Sequence, residues 1–347
     1  MATTKRTAGE ARGDGEIAPA SVVPLPTADR DVQMATRAAW LYYIEGQTQE
    51  QIARHLGINR IRVNRILAAA RDSGLVQVRI NTPLADCVAL ERALCDRFAL
   101  PEAVVVPSAI DPENVRRLVA AAGGELLSGR VAENMSIGVG WGRTLRLSLN
   151  SIERRPIAGL KVVSLMGGLT RGSVMNSYEA ALRLADLFGA ECFYIAGPAF
   201  TDSEESRSLL LRQPMIEDAF AHARGVDMAY ISVGGLDMQT SMARLGLLHE
   251  DDLETLRRAG AVGDICGYWV DADGGAVDHP LNRRVIAVEL DALLDIPQVV
   301  LVTGGPGREH AIRAALRKGC VGTLVTDETT AAAIIALEDR GGRRRGR

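Results

Sequence analysis

No apolar run in this 347-residue sequence approaches the ~20 residues that a bilayer-spanning helix requires. Its first thirty residues are dominated by Gly, Pro, Ala and Thr and lack the apolar core of a secretion signal. Residues 1–32 therefore read as a disordered arm, and the chain reads as cytoplasmic, with no membrane partner. Cysteine is sparse. The five residues at 87, 95, 192, 266 and 320 are too scattered for a zinc cluster or a CxxC redox pair. Cys87 and Cys95 fall two helical turns apart on one apolar face and read as core. The five histidines (55, 222, 249, 279, 310) make no HExxH or comparable spacing. A metal enzyme is thus disfavoured, and no cofactor is expected.

Excess charge is also lacking. A net charge of −3 excludes a nonspecific polybasic protein. The distribution says more than the sum: between Ile52 and Arg71 stand five arginines (54, 60, 62, 65, 71) and no acidic residue. A basic helix inside a mildly acidic chain is the footprint of a DNA-reading module. The basic run Arg343-Arg344-Arg345-Gly346-Arg347 ends the sequence, and residues 339–347 read as a solvated tail.

What is present is enough for a small and a large domain. From Met34 to Ile44, Ala35, Ala38, Ala39, Trp40, Leu41 and Tyr43 repeat at helical spacing. Gly46 suits a left-handed C-cap. Thr48, with Gln51 three residues on, spells a capping box for a second helix whose buried side is Ile52, Ala53 and Leu56. Gly57 supplies a sharp turn, and Asn59 is an N-cap for a third helix running to about Asp72. Helix, Gly-containing turn and helix at this separation is the pattern of a helix-turn-helix. Ile61, Ile66, Leu67 and Ala70 can face inward, which leaves Arg60, Arg62, Asn64 and Arg65 at the exposed N-terminal half. Arginine pairs with guanine and asparagine with adenine in the major groove. Thr48 and Gln49, with Asn59, are placed to contact phosphate and groove edge. Leu75 to Ile80 alternates like a strand or wing, and Pro83 marks a boundary, so the DNA-binding domain spans 33–82. Leu84 to Leu100 returns to helical periodicity.

From residue 103, β-rich runs alternate with helical stretches. The strands are expected at Ala103–Val106, Ser136–Val139, Lys161–Leu165, Cys192–Ile195, Met228–Val233, Val299–Val302 and Thr323–Val325. Helical periodicity spans Val115–Leu127, Tyr178–Phe188 and Arg308–Lys318. This is the pattern of an α/β domain (83–338) with a doubly wound parallel sheet, whose ligand sits at the carboxyl ends of the strands. Those ends are rich in glycine: Gly138 to Thr144, Met166 to Leu169 with Gly167 and Gly168, Gly234-Gly235, and Thr303 to Arg308 with Gly305. Gly140, Gly142, Arg143 and Thr144 offer an anion backbone amides, a helix start, a guanidinium and a hydroxyl. The spacing fits neither a dinucleotide fingerprint nor a Walker loop. Gly263 to Asp271 reads as a strand and hairpin, in which Asp264 either accepts from hydroxyls or merely forms a turn.

These segments, with Tyr42 to Ala53, Ser136 to Leu145, Val163 to Gly168, Gly263 to Gly267 and Leu324 to Ala331, give the chain a resemblance to the SorC/DeoR-type sugar-binding transcription regulators over roughly residues 35–338. The resemblance implies an effector domain with the fold of ribose-phosphate isomerases and glucosamine-phosphate deaminases, without their catalysis. It further implies dimers or tetramers, double-stranded operator DNA of carbohydrate genes, and a sugar or polyol effector, commonly phosphorylated. The phosphate position matches Gly140 to Thr144, and Asp264 matches a polar position of the sugar site. The family's usual lysine after the late strand is Arg308 here, which cannot form a Schiff base with a carbonyl. A polyol, its phosphate or a cyclic sugar phosphate therefore suits the site better than an open-chain aldehyde. The alternative is a sugar-phosphate isomerase or deaminase with an appended DNA module, its base drawn from Asp271, Asp273, Asp278 or His279.

Overall fold

The computed structural model describes residues 27–76, 85–169, 176–238 and 240–345. The chain divides into two compact units, one ending at Val76 and the other beginning at Gln77. The first contains α1 (Thr27–Tyr43), α2 (Gln49–Leu56) and α3 (Arg60–Asp72). Ala38, Ala39 and Leu41 of α1, Ile52 and Ala53 of α2, and Val63 and Leu67 of α3 form its core. Both expected caps are present. Thr48 makes a reciprocal capping box with Gln51, and Asn59 Oδ1 accepts from the Arg62 amide at 2.8 Å.

Three expectations are corrected here. Residues 27–32, read as part of a disordered arm, already belong to α1, because apolar periodicity reports only the turns of a helix that pack on a core. Trp40 is 57% exposed rather than part of the packed stripe. Ile61 is 68% exposed, and fully buried Val63 takes its place. Val63, Leu67 and Ala70 are the i, i+4, i+7 set that one helix face presents. The arm 1–26, most of the Leu75–Ile80 strand, Pro83 and the last two residues of the tail lie outside the described residues.

The second unit opens with α4 (Ala85–Phe98), then β1 (Glu102–Val106), α5 (Pro112–Arg130), β2 (Ser136–Val139), α6 (Arg143–Ser148) and β3 (Lys161–Ser164). It continues through α7 (Ser177–Phe188), β4 (Glu191–Phe193), α8 (Glu204–Leu211), α9 (Pro214–Arg224) and β5 (Met228–Ile231). Next come β6 (Val233–Gly235), α10 (Ser241–Arg244), α11 (Glu250–Arg258), β7 (Gly263–Ile265) and β8 (Tyr268–Val270). The last elements are β9 (Gln298–Val302), α12 (Glu309–Lys318), β10 (Thr323–Asp327) and α13 (Glu328–Arg345). The segment read as a solvated tail is thus helical through Arg345.

Seven strands form one parallel sheet in the order β1-β10-β9-β5-β2-β3-β4. Successive residues of each strand feed opposite faces. Ala229, Ile231, Val299 and Leu301 pack on one side with α9, α12 and α13. Met228, Tyr230, Val300 and Val302 pack on the other with α5, α6 and α7. The chain runs from β2 to β3 and β4 on one side, then returns to β5 on the other. That reversal opens a crevice at the carboxyl ends of β2 and β5, where ligands of such sheets bind. A second, antiparallel sheet, β6-β7-β8, stands beside this edge. No described helix is long and apolar enough to cross a membrane.

Leu145, fully buried, anchors α6 to the sheet just behind the Gly142–Thr144 loop. Leu145→Ala should cost about 2–5 kcal/mol, read as a lower denaturant midpoint for the larger unit. A loss below ~1 kcal/mol would contradict this packing.

Candidate DNA interface and effector pocket

The helix-turn-helix owes its geometry to its caps. Thr48 is exposed at the start of α2, where its amide donates to Gln51 Oε1 at 2.8 Å. Gln49 follows, half-buried. Gly57, at φ 65°, ends α2 in the left-handed conformation and turns the chain toward Asn59. Along α3, Arg60, Arg62, Asn64 and Arg65 are all exposed, with no acidic residue in the first turn.

In the larger unit, one pocket lies at the β2–β5 edge. Of the residues expected there, Gly142, Arg143, Thr144, Gly234, Asp264 and Arg308 line it. The chain after β2 supplies the first three, β6 and β7 the next two, and the loop after β9 the last. Gly142 has φ 137°, which favours glycine where the chain turns from β2 into α6.

Four expected residues do not line it. The Gly140 amide donates to the Tyr230 carbonyl at 3.0 Å, tying β2 to β5. The Gly305 amide donates to Asp327 Oδ2 at 2.7 Å and to Thr330 Oγ1 at 3.0 Å. Asp327 also accepts from the Ser108 hydroxyl and the Thr330 amide, so this knot joins the β9 and β10 loops. The Gly167 amide donates to Ile286 O and the Gly168 amide to Gly197 O, at 2.8 and 2.9 Å. A β-carbon on Gly167 would lie 2.2 Å from the Pro198 carbonyl oxygen, and one on Gly168 would lie 2.3 Å from the Tyr178 ring. Close backbone packing explains these two glycines.

The pocket also contains residues that sequence reasoning missed. Arg116 enters from the first turns of α5, and Thr240 and Met242 from the segment after β6. Arg116 follows β1 and so reaches the same carboxyl edge, but nothing in a single sequence separates it from its neighbour Arg117. Arg116, Arg143 and Arg308 converge. Glu113 pairs with both Arg116 and Arg143, standing 3.3 Å from the Arg143 guanidinium. Arg308 Nη1 lies 4.0 Å from Asp237. Burial lowers the pKa of Arg143 and of Arg308, and the charge of Arg116 acts on both in the same direction. Glu113 opposes this at Arg143, as Asp237 does at Arg308.

Asp264 is the carboxylate within the pocket, only 4% exposed. It stands opposite Gly234 in the β6–β7 ladder, and a β-carbon on Gly234 would lie 2.0 Å from its Oδ1. Cys266 and Gly267, at φ 49° and 84°, form the two-residue hairpin turn, a type I′ geometry. That turn aims the Gly267 amide at Asp264 Oδ2, 3.1 Å away. Burial pushes the Asp264 carboxyl up to about 6, against smaller opposing effects of the Gly267 amide, Arg308, the Gly234 amide and Trp141. Of the other acid-base candidates, Asp273 pairs with Arg317 and Asp278 with Arg283. Asp271 holds the turn amides of Asp273 and Gly275, and His279 bonds Thr255. None of the four lines the pocket.

Comparison with known proteins finds relatives for both units. Residues 82–336 match the family described as "Putative sugar-binding domain", and residues 40–73 match "Sigma-70, region 4". The erythritol catabolism regulatory protein EryD of Brucella abortus is 31% identical over 89% of this chain and 98% of its own. The deoxyribonucleoside regulator of Bacillus subtilis is 31% identical over 87% of this chain and 97% of its own. Among solved structures, the full-length sorbitol operon regulator SorC of Klebsiella pneumoniae has a TM-score of 0.66 at 26% identity, covering 88% of this chain and 99% of that one. A DeoR family transcriptional regulator from Listeria monocytogenes has a TM-score of 0.67 at 28% identity, covering 72% and 99%. With a family match across most of the α/β unit and regulators aligned over nearly nine-tenths of its length, the chain belongs to the SorC/DeoR-type family of sugar-binding, DNA-binding transcription regulators.

Proposed function

We propose that the protein is a non-enzymatic regulator of carbohydrate or polyol genes, switched by a phosphorylated sugar or polyol. One observation carries the reading: three arginines and a buried carboxylate face one pocket at the switch point of the sheet. Arg116, Arg143 and Arg308 form its anion-binding end, helped by the Gly142–Thr144 backbone and the Thr144 hydroxyl. Asp264, held by Gly234 and Gly267, accepts from effector hydroxyls. Relatives named for erythritol catabolism and the sorbitol operon agree with a polyol-class effector. Arg60, Arg62, Asn64 and Arg65 read operator bases in the major groove, while Thr48, Gln49 and Asn59 hold its edge and phosphates. Two copies read paired half-sites in the cytoplasm, as a dimer or a tetramer. Asp264 is also the one pocket carboxyl suited to act as a base near neutrality, so an isomerase reading has its own test. Turnover of pentose or hexose phosphates that Asp264→Asn abolishes would establish it; the regulator reading expects no turnover.

Calorimetric titration with matched phosphorylated and free polyols tests the anion end. The phosphorylated ligand should bind more tightly, and Arg116→Ala or Arg143→Ala should each weaken it roughly 10- to 100-fold, as loss of a charge-assisted bond does. Thr144→Val should reduce the preference by a smaller factor. Equal binding of the free polyol to all variants would refute the assignment.

Asp264 also predicts a pH dependence. Its folded pKa lies above the unfolded value, so the native state binds the extra proton between about pH 4 and 6. The stability linked to that proton is present below pH 4 and is lost as pH rises through about 6. Over that window wild type should lose on the order of 2–3 kcal/mol relative to Asp264→Asn. Parallel denaturation curves at pH 4.5 and 6.5 for the two proteins would contradict it.

A further inference from the structure

We propose that Ile61 sets operator specificity by packing against the C5-methyl group of a thymine in the major groove. This inference rests on the reading of α3 as the helix that enters the groove. Sequence periodicity assigned Ile61 to the core, yet the structure leaves it 68% exposed while Val63, two residues on, is fully buried. The difference follows from the helix itself. At about 100° per residue, Val63, Leu67 and Ala70 define the inward face, and the opposite direction falls between Ile61 and Arg65. Those two side chains sit one turn apart at the centre of the outward face. Arg62 and Asn64 flank them, and both are exposed. Ala68 and Ala69 follow one turn later, where their small side chains allow close approach of another surface.

An isoleucine in this place contributes nothing to the core of the unit and is a poorer helix former than its unbranched neighbours. What surrounds it is cationic: Arg60, Arg62, Arg65 and Arg71, with no acidic residue on the helix before Asp72. A face of that charge fits a polyanion, and its central apolar side chain then needs an apolar partner within the polyanion. The major groove of duplex DNA presents one such feature on a base edge, the thymine methyl. Arg65 reads a neighbouring base, while Ile61 occupies the second position of the helix, in the N-terminal half that reaches deepest.

The test uses the full-length protein. Its binding site is selected from random duplexes, and each thymine of the consensus half-site is replaced in turn by uracil, which removes only the C5-methyl. One replacement should weaken wild-type binding about fourfold, the worth of one buried methyl-sized group. Ile61→Ala should bind the thymine site more weakly than wild type and show a thymine-to-uracil ratio near 1 at that position alone. Unchanged circular dichroism and melting of Ile61→Ala establish that the loss is one of contact. A consensus in which no thymine responds to uracil overturns the proposal, as does equal sensitivity to uracil in both proteins. Failure to select any specific duplex would instead strike at the placement of α3 in the groove.

Discussion

The proposed effector pocket depends on the burial of one carboxylate. Asp264 stands in the second sheet with Gly234 across the ladder and Gly267 at the hairpin turn, and each neighbour is shaped to it. A side chain at position 234 would collide with Oδ1, and a different turn would point the Gly267 amide elsewhere. Cys266 accepts a positive φ, unusual for a residue other than glycine, to keep that turn at two residues. Burial holds the pKa of this carboxyl up at about 6 even though the Gly267 and Gly234 amides and Trp141 bond it. In the proposed function, a polyhydroxylated ligand adds hydroxyl donors to those the protein already supplies.

The cations complete the same logic at the other end of the pocket. Three guanidiniums are brought together by elements from distant parts of the chain: α5, the start of α6, and the loop after β9. Glu113 serves two of them at once, and Asp237 reaches the third only at 4.0 Å. Partial burial makes their mutual repulsion count for more than it would in water. An anion entering the pocket relieves that repulsion.

Much of this is legible in the sequence. The strand at Ser136–Val139 and those around residues 161, 228, 299 and 323 are legible because buried parallel strands are short apolar runs, the first four followed within a few residues by glycine. The caps at Thr48 and Asn59 were found because capping is local chemistry. What escaped depends on the third dimension. Gly167 and Gly168 have the composition of a pocket floor, but their amides bond Ile286 and Gly197, remote in sequence. Arg116 carries no motif and gains its meaning only from the position of β1 in the sheet. Ile61 and Val63 are both β-branched and two residues apart, so which of them faces inward is decided by how α3 sits on α1 and α2.

Effector control requires that the ligand bind two arrangements of the protein with different affinity; tight binding alone shifts nothing. On the proposed function, Glu113 is placed to provide such a difference within the larger unit. It lies in the first turn of α5, held there by the Asp111 cap, and pairs with the pocket residue Arg143. A phosphate that takes up Arg143 competes with Glu113 for the same guanidinium, so the two contacts are alternatives. The loop preceding α5 is tied through Ser108 to Asp327, and Asp327 in turn holds the Gly305 amide of the β9 loop. Loss of the Glu113–Arg143 pair therefore alters the restraints on the start of α5, next to a knot that spans β1, β9 and β10.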